Sequence, residues 1–156
     1  MNFIRDLFGN HILISAVLGW FFAELIKIII NCIQAKSLKN FRLKDLFASG
    51  GMPSSHSAAV CALSAAIAYV YGVDSAYFAI SATFSGIIMY DAGGVRKEAG
   101  EQAKALNMII HDMFSGNPEY THKALKELIG HTKSQVFVGA VLGFTIGLLY
   151  TYFMGA

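Results

Sequence analysis

The run from His11 to Asn31, HILISAVLGWFFAELIKIIIN, is apolar over almost its whole length. As a helix rising ~1.5 Å per residue it is long enough to cross a hydrocarbon core of ~30 Å. It is read as a membrane span. A cleaved signal peptide is the competing reading, but the run is long, contains Glu24 and Lys27, and has no small-x-small cleavage site before Lys36, so it is expected to stay in the mature protein. Charge agrees: only 14% of the 156 residues are Asp, Glu, Lys or Arg, against about a quarter in a soluble domain. That composition also excludes a disordered chain, a nucleic-acid binder and a secreted disulfide scaffold. Cys32 and Cys61 both fall in apolar stretches with no second ligand at a useful spacing, and are read as packed free thiols.

Three further apolar stretches follow. Ser55–Tyr71 and Asp74–Tyr90, separated by Gly72 and Val73, read as a tight helical hairpin. The first of these is dense in small residues (Ala58, Ala59, Ala62, Ser64, Ala65, Ala66, Ala68) that let neighbouring backbones approach, which predicts a central helix. Thr132–Met154 carries Gly139, Gly143 and Gly147 at a strict four-residue spacing, a close-packing face. The expectation is an all-α, multi-pass helical bundle of about four transmembrane helices plus one or two cytoplasmic amphipathic helices, forming one domain over residues 1–156. A helix over Ala99–Phe114 and a shorter one from Pro118 to Ile129, capped by Asn117, supply the amphipathic pieces.

Basic residues set the orientation. Lys36, Lys39, Arg42 and Lys44 lie in one polar segment and Arg96, Lys97, Lys104, Lys123 and Lys126 in the other, whereas the remaining ends hold little except Arg5. The positive-inside rule therefore puts both segments in the cytoplasm and both termini outside, in a cell membrane.

Polar residues gather at three places on the cytoplasmic side. In Ser49–Ser57 two glycines and Pro53 lead into a helix start, where the amides of Ser54, Ser55 and His56 lie among the first-turn donors without an intrahelical partner. A titratable imidazole beside such donors suits proton transfer at an anion site. In Gly130–Gln135, Thr132 and Gln135 have the spacing of a capping box, which leaves His131 unexplained. Spans two and four run in the same direction, so their positive ends and both imidazoles can face one ligand. In Tyr90–Arg96, Arg96 suits bidentate phosphate binding and Asp91 can orient it or an imidazole, with a surface salt bridge as the plainer reading. A superficial likeness of Asp91–Arg96 to the aspartate motif of the alcohol phosphatidyltransferases stops at Glu101 and Gln102, so no metal and no cofactor are expected. Glu24, Lys27 and Asn31 share one face of span one, a polar stripe expected to look into the bundle; Lys27 either reaches the phosphate site or simply pairs with Glu24. His11, His111 and His122 are read as solvated or interfacial.

The segments GGMPSSHSA (Gly50–Ala58), YDAGGVRKEAGEQA (Tyr90–Ala103) with Leu106-Asn107, and LKELIGHTKSQVFVGAVLG (Leu125–Gly143) resemble the divergent branch of the type-2 phosphatidic acid phosphatases, related to acid phosphatases and vanadium-dependent haloperoxidases. The resemblance covers most of the chain from Lys27 onward. It implies His56 as proton donor to the leaving oxygen and His131 as the nucleophile. Arg96, Ser54, Ser55 and Lys27 would hold the phosphate, and Gln135 would stand where the wider superfamily has an orienting acid. The implied activity is metal-independent hydrolysis of a lipid or isoprenoid phosphate or diphosphate monoester through a phosphohistidine. The alternatives are a non-catalytic membrane protein that binds a lipid phosphate or serves as an assembly subunit, and a vanadate-bearing haloperoxidase. The expected partners are the phospholipid bilayer and the lipid substrate, with homo-oligomerisation left open. A single cysteine added at the C-terminus of a chain lacking Cys32 and Cys61 is expected to react with an impermeant maleimide from outside; labelling only from the cytoplasm would overturn the charge argument.

Overall fold

The computed structural model of the chain describes residues 3–34, 51–114, 125 and 130–154. These residues are helical with no strands: α1 (Phe3–Phe8), α2 (His11–Gln34), α3 (Ser55–Tyr71), α4 (Ala76–Tyr90), a wide π turn (Asp91–Val95), α5 (Arg96–Phe114) and α6 (Lys133–Met154). The expected short helix near 118–129 and the basic residues Lys36, Lys39, Arg42, Lys44, Lys123 and Lys126 lie outside the described residues, as does His122.

Local chemistry accounts for the boundaries. The Gly9 amide closes α1 on Arg5 O, and Asn10 then starts α2 by accepting the Leu13 amide on Oδ1 at 3.0 Å. Ser54 caps α3 and Ser75 caps α4, each accepting the amide three residues on. Gly72, at φ 84°, ends α3 in a conformation that favours glycine. Two expectations need correction. The helix expected over Ala99–Phe114 is not a separate piece: α4, the π turn and α5 form one helical run of 39 residues, Ala76–Phe114. Nothing in 91–95 breaks a helix except glycine, and the π turn absorbs Gly93 and Gly94 without interrupting the ladder. The polar stripe of α2 ends at Lys27, because Asn31 is exposed.

Three runs are long and apolar enough to cross a membrane, His11–Ile33, Ala76–Phe114 and Lys133–Met154, and α3 is a shorter apolar helix. Large apolar side chains such as Phe21, Ile80, Phe137 and Phe153 face outward, as lipid-facing residues do. The centre is α3, which packs against α6 most extensively, then α2, then α4. Its buried residues are small: Ala58, Ala62, Ala65, Ala66, Ser57 and Ser64. Gly139, Gly143 and Gly147 sit so close to the carbonyls of Ser54, Ala58 and Ala62 that no Cβ fits, and a Cβ at Gly19 of α2 would also meet Ala58 O, at 2.7 Å. Hydroxyls stitch the remaining contacts, Ser64 to Ser85 at 2.9 Å and Ser15 to Ala62 O at 3.3 Å. His11 is held by the Tyr150 hydroxyl at 3.1 Å, joining the start of α2 to the end of α6.

Gly143→Val is expected to destabilise the bundle by about 1–3 kcal/mol or more. Gly86→Ala, where a Cβ meets nothing within 4 Å, is expected to be neutral or stabilising by up to about 1 kcal/mol. Thermal unfolding of both variants in detergent checks the contrast; equal losses would discount the α3–α6 contact.

Candidate functional site

The starts of α3 and α6, the end of α4 and the inner half of α2 converge at one end of the bundle. Two backbone hydrogen bonds lock them: Ser54 N–H to Gln135 O and His131 N–H to Ala92 O, both 3.0 Å. At Gly130 a Cβ would lie 2.5 Å from the Lys97 backbone, so the residue before His131 packs directly on the start of α5. The imidazole of His131 is thereby carried against that of His56, with ring centroids 6.5 Å apart and planes at 78°. His131 is only 4% exposed, whereas His56 is exposed on the first turn of α3.

His131 Nε2 is buried and has no partner among the described residues. Burial foremost, then the charges of Lys27, His56 and Arg96, lowers the pKa of His131 below the ordinary imidazole value of 6.5, with Glu24 opposing. The ring is therefore neutral at pH 7 and keeps a lone pair.

The basic residues come from two elements. Arg96 Nε donates to Asp91 Oδ2 at 2.7 Å with both side chains part-exposed, which leaves the Nη groups for an oxyanion. Lys27, 4% exposed, is bonded to Glu24 Oε1 at 2.9 Å. Its stem lies under the loop before α3: a Cβ on Gly51, which has φ 91°, would be 3.2 Å from Lys27 Cγ and Cδ. Lys27 thus pairs with Glu24, one of the two readings of the sequence, with its stem beside Gly51.

Two residues are placed differently from the roles that resemblance implies. Gln135 Oε1 accepts the Thr132 amide at 2.9 Å while Thr132 Oγ1 accepts the Gln135 amide at 3.3 Å, a reciprocal capping box. That oxygen is therefore on the backbone of α6 and not on an imidazole. Ser54 is committed to the scaffold, its amide to Gln135 O and its hydroxyl to Ser57. In the first turn of α3 the amides of Ser55 and His56 have no intrahelical partner, and Ser55 itself is buried. Among the described residues no group of three or more His, Cys, Asp or Glu side chains could hold a metal ion. The residue that sequence reasoning undervalued is Glu24, whose buried carboxylate is part of this cluster; a charge in the middle of an apolar span was the available signal.

Beside the histidines runs a groove of about 460 Å³ between the end of α4 and the start of α6, lined by Met89, Gly93, Gly94, Val136 and Phe137, with Lys133 at its rim. Gly93 belongs to both: a Cβ there would touch Val136 at 3.3 Å and approach His131 O at 4.0 Å.

The described helices thus form a membrane bundle that brings two histidines together at the starts of α3 and α6. The chain belongs to the divergent PAP2 family, whose model matches residues 8–146. Among its relatives, the uncharacterized membrane protein YuiD of Bacillus subtilis (strain 168) is 40% identical over 158 residues, covering 95% of this chain and 98% of the relative. No solved structure matches.

Because the native state binds a proton at His131 less readily than the unfolded chain, stability from this group is full above the unfolded value near 6.5 and is lost as pH falls through the lower folded value. The melting temperature is expected to drop between pH 7 and 5.5, and to drop less in His131→Gln. An identical pH dependence in the two proteins would contradict the burial of this imidazole.

Proposed function

We propose that the protein is a metal-independent phosphatase of the cytoplasmic leaflet that hydrolyses a lipid or isoprenoid phosphate or diphosphate monoester, in a single domain spanning residues 1–156 with both termini outside. The observation that carries this reading is the pair of imidazoles, one buried and neutral with a free Nε2, the other exposed beside it.

In the first step the His131 Nε2 lone pair attacks phosphorus, the bond from phosphorus to the leaving oxygen breaks, and protonated His56 gives its proton to that oxygen. In the second, neutral His56 takes a proton from water, the oxygen of that water attacks phosphorus, and the P–N bond breaks to release phosphate and restore His131. Arg96, Lys27 and the amides of Ser55 and His56 stabilise the oxyanion charge that builds in both steps. Asp91 orients Arg96. The groove beside Gly93, lined largely by apolar side chains, supports a hydrophobic substrate.

A second reading, a non-catalytic binder of lipid phosphate, is favoured by Gln135, which stands where an acid is implied and whose oxygen serves a helix cap. Phosphate release separates the two. Purified protein in detergent with EDTA, offered phosphatidic acid, phosphatidylglycerophosphate and isoprenoid diphosphates, is expected to release phosphate from at least one. His131→Ala is expected to lose all turnover and His56→Ala about 10²–10⁴-fold. Binding of phosphate or vanadate without release from any of these lipids would establish the binder instead.

A further inference from the structure

Two buried side-chain atoms lack a hydrogen-bond partner among the described residues, His131 Nε2 and Glu24 Oε2. The proposed chemistry gives the first a role and leaves the second without one. Glu24 is 7% exposed, and its other oxygen accepts from the Lys27 ammonium. A dry carboxylate oxygen with no donor is costly, and evolutionarily cheap apolar residues fit the middle of a span better. Glu24 also lies within electrostatic reach of both His56 and His131. Through Lys27, whose stem touches the Gly51 position, it stands behind the segment that leads to His56.

An anion drawn to Lys27, Arg96 and the helix starts must come close to this carboxylate. A fully deprotonated anion meets it as like charge; one that carries an acidic hydroxyl meets it as a donor. We propose that Glu24 Oε2 accepts the P–OH of a protonated phosphate monoester, making Glu24 a specificity-determining residue that admits monoesters and disfavours anions without a hydroxyl. Phosphodiesters, the bulk of the surrounding phospholipid, belong to the disfavoured class. The inference rests on reading the cluster as a phosphate site, though not on turnover there.

Inorganic phosphate keeps at least one P–OH near neutral pH and sulfate keeps none, so the pair is a direct probe. Calorimetric titration of the full chain in detergent at pH 6.5 is expected to give phosphate binding about tenfold or more tighter than sulfate. In Glu24→Gln, whose amide can donate to either anion, the ratio is expected to fall to near one. Should that variant not fold with Lys27 unpaired, the double variant Glu24→Gln, Lys27→Met leaves no buried charge and keeps the ratio as readout; affinity falls for both anions and the preference disappears. Equal binding by the wild type, binding of neither anion, or a preference that survives the loss of Glu24 overturns the proposal. Lipid-phosphate hydrolysis with an unchanged ratio removes Glu24 and keeps the hydrolase, whereas a Glu24-dependent ratio without hydrolysis does the reverse.

Discussion

Contact between the backbones of α3 and α6, made where no Cβ stands between them, is the constraint on which the molecule depends. In a bilayer lipid tails solvate apolar side chains as well as neighbouring helices do, so association must come from closeness of approach and from hydrogen bonds. Gly139, Gly143 and Gly147 place α6 on the carbonyls of Ser54, Ala58 and Ala62, and Gly19 brings α2 onto the same turns at Ala58 and Ala62. The contact fixes more than the core. Its first member joins Gly139 to Ser54, the cap of α3, so the register that closes the bundle also sets the start of α3 beside the start of α6. The two histidines meet because the glycines do.

Charge in the cluster is balanced before any ligand arrives. Lys27 is answered by Glu24 and Arg96 by Asp91. The pairs are not equivalent: Arg96 and Asp91 are part-exposed, while Lys27 and Glu24 are almost wholly enclosed. A buried pair is retained at a desolvation cost that packed apolar residues would avoid. An exposed pair can rearrange around an incoming anion, and an enclosed one presents it with a fixed field.

The spans are legible in the sequence because lipid imposes a simple code. Ser55–Tyr71 is predicted with both ends in place, since a serine cap and Gly72 mark them chemically. The four-residue glycine spacing of α6 and the small residues of α3 reveal which helices touch. The continuity of α4 into α5 is not legible, because Gly93 and Gly94 weaken the helical pattern ahead of Ala99, and only the packing of Ala92 and Gly93 against 131–136 shows why a π turn is used there. His56, His131 and Arg96 stand out by residue type at helix ends. Gln135 and Ser54 do not declare their allegiance: the same side chains serve a cap or a ligand, and tertiary contact decides. Asn31 misleads for a related reason, since helical spacing from Lys27 puts it on the same stripe but not at a depth where the bundle covers it.

The π turn has one more effect. In a regular α-helix each carbonyl is bound by the amide four residues on, but the wider turn passes the Arg96 amide to Asp91 O, five residues back. That shift leaves Ala92 O open to the amide of His131. A helical run of 39 residues is thereby joined by a backbone bond to His131, two residues before α6. The place of the buried imidazole is thereby tied to the shape of a turn in a different helix, through the one carbonyl that the turn sets free.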